Sequence, residues 1–384
     1  MPPVLFSLVL VVFSFTTGEF VIVGILPDVA ADLLVSIPDA GLLVTAYALG
    51  MIVGGPVVTA LTARVARKPL MVGLVGVSLL GNAASAAAPN YAVLLVSRFV
   101  AGLVVATFFA VAIATAVSLA PAAKQASTVA KVALGMNLGM ILGTPIGTSI
   151  GHNAGWRATF ATIAGLTAVA LVLVLVFVPV QPAVASSSVL GELRVFADRG
   201  VLLAIALTAL GNVGVVTVFS YITPLLVDIG GFAAGTVPVL LLVYGVGAVV
   251  GNFLGGWLAD RARMPALIGL LTALALDLLV FWLVGGMQVA AVILTFSTGV
   301  LAFAIIPGMQ TQVVVAASAA PTLAVAVNAS GFQLAAAFAG WFGGWIIGSG
   351  PGLRSLHLAG AVLTAASLAI AFLVVHRDRR PVAA

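Results

Sequence analysis

The sequence has no cysteine, three histidines and very little charge. Without cysteine there is neither a disulfide framework nor a thiolate metal site. His152, His357 and His376 lie far apart, and the ten acidic residues are spread along the chain. No His pair or Ser/His/Asp cluster stands at a catalytic or metal-binding spacing, so neither an enzyme nor a bound metal is expected. Only 7% of the 384 residues are charged, while 63% are hydrophobic and the mean hydropathy is +1.31. A soluble domain carries roughly 25% charged residues. So few charges cannot cover a water-facing surface of this size, and most of that surface must face lipid.

Runs of membrane-crossing length, about 20 apolar residues, recur along the whole chain. They read as twelve spans: 4–26, 40–62, 69–88, 91–119, 128–150, 157–178, 201–223, 236–258, 265–284, 288–312, 322–347 and 357–375. The first run follows Met1-Pro2-Pro3, which has no basic region. It is too long for a signal peptide and contains Glu19, so it is read as a retained span. The longest polar stretch, 179–200, divides an N-terminal six-helix bundle (1–178) from a C-terminal one (201–384) and is expected to be a cytoplasmic linker. With the N-terminus in the cytoplasm, twelve of the 15 basic residues fall on that side. Only Arg157 and Arg354 fall outside, and Arg98 lies within a span. That asymmetry accounts for the +5 net charge without a nucleic-acid partner.

The halves repeat at a shift of 197 positions. Pro27 maps to Pro224, each placed at the close of the first span of its half, and Arg64 maps to Arg261. Gly50, Gly54, Gly102, Gly143 and Gly147 map to Gly247, Gly251, Gly299, Gly340 and Gly344. Parallel six-span repeats place a substrate cavity near the bilayer midplane and serve alternating access. Gly245-Val246-Gly247 with Gly251 looks like a dinucleotide fingerprint, but it lies inside an apolar span with no preceding strand and is rejected.

Gly256-Trp257-Leu258-Ala259-Asp260-Arg261 resembles the loop signature of the major facilitator superfamily. Its first-half counterpart, Thr59 to Lys68, keeps Arg64, Arg67 and Lys68 but has Ala63 in place of the usual acid. Arg98 with Gly102 resembles the fourth-span motif. Gly139 to Gly147 resembles the fifth-span antiporter motif, with one threonine, Thr144, inserted before Pro145. Gly155-Trp156-Arg157, Glu19-Phe20 and Leu26-Pro27-Asp28 are similar to the drug:proton antiporter branch, near the chloramphenicol and arabinose-type exporters. The resemblance covers nearly the whole chain. It implies an all-α membrane fold of twelve helices in two pseudo-symmetric bundles.

Each singled-out residue has a functional and a structural reading. Arg98 is a cation within a span, which translocon scales put at about 2.5–3.5 kcal/mol. It should face water or pair with a carboxylate, either coupling protons or orienting substrate, or else fixing helix packing through carbonyl bonds. Glu19, beside Thr16, Thr17 and Gly18, can exchange a proton as an antiporter needs, or serve only a local bond. Asp277 sits in a span that the resemblance makes peripheral, so its role is left open between a bonded acid and an inward-facing one. Gly139, Gly143, Pro145 and Gly147 allow close approach and a bend. By resemblance they form a hinge, and without it ordinary packing. Asp260 and Arg261 are gate candidates or a solvated turn. Asn137, Asn212, Tyr221, Asn328 and Gln333, with Asn252, Gln310 and Gln312, line a cavity or bond helix to helix. Phe108, Phe109, Phe219 and Tyr221 stack on a substrate or pack.

The resulting expectation is proton-coupled efflux of a small, moderately apolar drug such as chloramphenicol. The protein would be a multi-pass monomer of the bacterial inner membrane with both termini cytoplasmic. The proton is the coupling ion, and no other cofactor is expected. An arabinose-type sugar exporter is the nearest alternative, followed by a non-transporting receptor or sensor.

Overall fold

The computed structural model describes residues 2–121, 124–181, 199–316 and 321–378, without the side chains of residues 126, 321–328, 330 and 377–378. Most of the expected linker (182–198), Arg379, Arg380 and the Asn328 side chain lie outside the described residues. No strand occurs among those described. Hydrocarbon offers nothing to bond a bare N–H or C=O, so an apolar run of this length must close its bonds within itself as a helix.

Helix α1 (Pro3–Asp32) has proline in its first turn, where the missing N–H has no partner to lose. Ser36 caps α2 (Ile37–Thr62) by accepting from the Asp39 N–H at 3.1 Å. After α3 (Arg67–Ala86), Asn90 caps α4 (Tyr91–Leu103), and Val104 separates it from α5 (Val105–Ser118) within one span. The fifth span consists of α6 (Gln125–Leu138), a π-helical turn (Gly139–Gly143) and α7 (Thr144–Ala154). Gly155, at φ +87°, turns the chain into α8 (Trp156–Phe177). The second half comprises α9 (Arg199–Ser220), α10 (Val237–Val284), α11 (Gln288–Ala316), α12 (Pro321–Gly348) and α13 (Ser355–Asp378). Among the described residues ten helical stretches are long and apolar enough to cross a membrane. One of them contains α10, which is two spans broken at Ala262 (φ −155°, ψ 67°), and α12 adds another, giving the twelve expected.

The chain forms two compact units, 1–186 with 234–241 and 187–233 with 242–384. In the first, α1 packs on α6, α7 and α8, while α3 and α4 run against each other and α2 lies on α4. An apolar cluster that includes Leu8, Phe15, Met71, Phe108 and Val174 fills part of it. In the second, α9 packs on α11, α12 and α13.

Neither proline closes its span. Pro27 lies inside α1, which runs on to Asp32. Pro224 ends a short helical turn that continues as a π-helical turn, Leu225–Ile229. Proline removes one intrahelical bond, and a helix packed among neighbours tolerates that loss.

The 197-residue shift holds at the level of contacts. A Cβ added to Gly50 would overlap the Phe99 carbonyl oxygen, one on Gly54 that of Leu103, and one on Gly102 that of Tyr47. In the second unit Gly247, Gly251 and Gly299 stand in the same relation to the carbonyls of Phe296, Val300 and Tyr244. Every partner is displaced by the same 197 positions. Backbone-to-backbone contact of this kind requires missing side chains on at least one helix.

Candidate coupling site

Along α1 the fifth span is laid down glycine by glycine. Added Cβ atoms at Gly135, Gly139, Gly143, Gly147 and Gly151 would meet Val9, Phe13, Thr17, Val21 and Ile25 in turn. A four-residue step drifts around an α-helix with 3.6 residues per turn. The π-helical turn at Gly139–Gly143 takes up an extra residue and offsets part of that drift. It immediately precedes Thr144, the residue inserted before Pro145, which sits buried in the first turn of α7. The Thr144 N–H and hydroxyl donate to the Gly139 carbonyl, which Thr17 Oγ1 also reaches at 3.5 Å. Gly139, Gly143, Pro145 and Gly147 therefore lie together on one helical seam.

Next to this seam α4 presents Arg98, which is 0% exposed. Its Nη2 donates to the backbone carbonyl of Glu19 at 3.2 Å. The guanidinium lies 4.3 Å from the centre of the Tyr47 ring and 5.5 Å from that of Phe160. A desolvated cation over an aromatic face gains about 2 kcal/mol. Tyr47 is held in turn by its hydroxyl, which donates to the Phe15 carbonyl at 3.2 Å. Glu19 is half-buried and has partners of its own. Arg98 therefore has the carbonyl bond of the structural reading, made to the backbone of the residue whose side chain the functional reading invokes.

The ends of the first unit are tied by charge. At one end Asp32 accepts from Trp156 Nε1 and from Arg157, and Arg157 Nη2 also donates to the Ala88 carbonyl. Asp28 lies 3.7 Å from His152. At the other end Arg67 Nη1 donates to the Ala114 carbonyl, Ser118 Oγ and Gln181 Oε1 at 3.0–3.1 Å. Arg67 thus anchors the loop that lost its acid at Ala63. Nothing in the sequence signalled that role, because its partners come from other helices.

In the second unit Asp277 accepts hydroxyl bonds from Ser297 and Thr298 of α11. Asp260 and Arg261 are exposed. Arg261 folds back on its own helix, bonding the Trp257 carbonyl at 3.2 Å and covering the Trp257 ring at 3.8 Å. Asn212 and Tyr221 are buried: Asn212 bonds the Thr208 carbonyl, and Tyr221 bonds that of Gly340 at 2.6 Å. Gln312 and Gln333 are also buried. Phe108 belongs to the apolar cluster and Phe219 stacks on Tyr244, so these rings pack. Asn137, Asn252 and Gln310 are exposed. Among the described residues no group of three His, Asp or Glu could hold a metal.

Residues 8–324 match the family model of the Major Facilitator Superfamily. The chain is 35% identical to the inner membrane transport protein YdhP of Escherichia coli (strain K12), over 97% of this chain and 96% of that one. It is 33% identical to a chloramphenicol resistance protein of Streptomyces lividans, again over 97% and 96%. Its fold superposes with a TM-score of 0.78, at 15% identity and over 99% and 98% of the two chains, on a bacterial homologue of the lysosomal transporter Spinster in an inward-facing, unoccupied conformation. The family-model match and the fold agree, and the chain belongs to the major facilitator superfamily of multi-pass membrane transporters.

Proposed function

We propose that the chain exports small, moderately apolar molecules of the chloramphenicol kind in exchange for protons, by alternating access, with both termini in the cytoplasm. The observation that carries this reading is the fully buried Arg98 guanidinium hung on the backbone of Glu19. Intramembrane ionisable groups are costly and mark ion pathways. When Glu19 takes up a proton, the negative charge beside Arg98 disappears while the guanidinium stays charged. Each proton thus changes the electrostatics of the α1–α4 contact. The glycine seam between α1 and the fifth span supplies a tightly packed surface along which the change can propagate.

Likeness to the Streptomyces resistance protein supports an apolar drug as substrate. So does the burial of Asn212 and Tyr221, which leaves them unable to bind sugar hydroxyls without repacking. The exposed amides of Asn137, Asn252 and Gln310 would be unsatisfied in lipid, which supports a wet path along their faces.

Purified protein in liposomes tests the proposal directly. An imposed pH gradient is expected to drive chloramphenicol flux, and Glu19→Gln to abolish the pH dependence while leaving thermal stability unchanged. Flux indifferent to the gradient, or a Glu19→Gln protein that still couples, would overturn it.

A further inference from the structure

Among the buried polar atoms of the first unit that find no partner in the protein are Arg98 Nε, Arg98 Nη1 and Asn82 Oδ1, on two side chains that both reach the Gly18–Glu19 stretch of α1. Arg98 is 0% exposed and Asn82 3%. Two contacts fix the register of the antiparallel helices that carry them. Gly81 abuts Ala101, where an added Cβ would stand 3.0 Å from the alanine methyl, and Ser85 Oγ bonds Ser97 Oγ at 2.8 Å. Asn82 and Arg98 lie between these contacts and turn towards α1. The Asn82 amide nitrogen is spent on the Ser78 carbonyl at 2.9 Å, which leaves the oxygen facing Gly18, 3.5 Å from the position a Cβ would occupy. Arg98 Nη2 meets the next residue's carbonyl, that of Glu19. The two side chains that carry these free atoms are therefore brought to adjacent residues of one helix.

Buried polar groups of a folded protein are paired, and where protein supplies no partner, ordered water making two to four bonds does so. We propose that Asn82 and Arg98 hold ordered water between α1, α3 and α4. The water accepts from the free Arg98 N–H groups and donates to Asn82 Oδ1. Asn82 thereby acts as a positioning residue for Arg98, although no motif marks it. The hydration site stands on geometry alone, while its effect on coupling rests on the proton-exchange reading above.

Hydroxyl radicals generated from water by X-ray radiolysis label side chains beside bound internal water, so they test the site without any transport assay. Phe160 and Phe108 are both 0% exposed in the same unit. Phe160 lies 5.5 Å from the guanidinium, whereas Phe108 sits in the apolar cluster. In the full-length protein Phe160 is expected to be labelled several-fold more than Phe108, and Asn82→Leu or Asn82→Ala to bring it down to the Phe108 level. Equal labelling in the wild type overturns the site. Excess labelling that survives in both variants overturns the part given to Asn82. In the flux assay Asn82→Ala is expected to move the pH of half-maximal transport. Thr167→Val, which breaks the buried 2.6 Å bond to Ser14 elsewhere in the unit, should not. An unmoved profile in Asn82→Ala removes the positioning role, and the labelling result stands independently of it.

Discussion

The two six-span halves share a scaffold but not a set of buried charges. At the 197-residue shift Gly50, Gly54 and Gly102 meet the same backbone atoms as Gly247, Gly251 and Gly299. Tyr47 and Tyr244 are both buried. Yet Tyr47 lies under the Arg98 guanidinium, whereas Tyr244 stacks on Phe219 at 4.7 Å. The counterpart of Arg98 is Thr295, whose hydroxyl turns back to the Ala291 carbonyl of its own helix. The counterpart of Phe160 is His357, stacked on Phe281 at 4.3 Å. In place of the fully buried arginine the second unit has a half-buried Asp277, where the first has Leu80. Backbone contact requires glycine on both sides of the repeat, so it persists in both. A buried charge is costly in each copy, and the two halves do not place one at the same position.

The largest expected effect comes from breaking what the halves share. Gly54→Val and Gly251→Val each push a side chain into a carbonyl oxygen that cannot swing aside. Overpacking costs about 1–3 kcal/mol, and these sites should lie at or beyond the upper end. Both variants are expected to lose most of their folded yield to similar extents in size-exclusion profiles and thermal shift. Gly256→Ala, where an added Cβ meets nothing within 4 Å, should be neutral. A large difference between Gly54→Val and Gly251→Val would break the equivalence of the two scaffolds.

What the halves do not share is tested by Arg98→Lys against Thr295→Val. Lysine keeps the charge but loses the planar face that lies over Tyr47. That stack is worth about 2 kcal/mol when desolvated, so the melting temperature should fall and pH-driven flux should drop to background. Thr295→Val removes a bond within one helix and is expected to leave flux near wild type. Equal loss in the two variants would erase the asymmetry.

The spans were legible because hydrocarbon thickness sets their length, and the repeat because glycine and proline positions are visible one residue at a time. The inserted Thr144 was legible as an irregularity, although only coordinates show the π-helical turn beside it. Pro27 and Pro224 misled, since a proline in sequence looks the same whether it ends a helix or sits within one. Arg98 and Glu19 stood out as charges in apolar runs. The side chains around Arg98 did not, because Tyr47, Phe160 and Asn82 come from three other helices and are of ordinary type for a membrane core. For the same reason aromatic rings such as Phe108 could not be told from binding residues until their burial was known.

The smallest expected effect decides which half carries the proton. Asp277 joins the ninth span to α11 through the Ser297 and Thr298 hydroxyls. Asparagine at 277 can accept from one hydroxyl and donate to the other. Ser297 already has the Leu294 carbonyl at 3.3 Å to receive its hydrogen. Asp277→Asn should therefore cost no more than the net worth of one hydrogen bond, about 0.5–1.5 kcal/mol, and pH-driven flux should persist. Asp277→Leu takes the carboxylate acceptor from Thr298 and leaves Ser297 only the Leu294 carbonyl, so it should be less stable, though still coupled once folded. A stable Asp277→Asn protein that transports but ignores the pH gradient would move the proton from the unit with the arginine to the unit without it. Glu19 would then be left with a packing role alone.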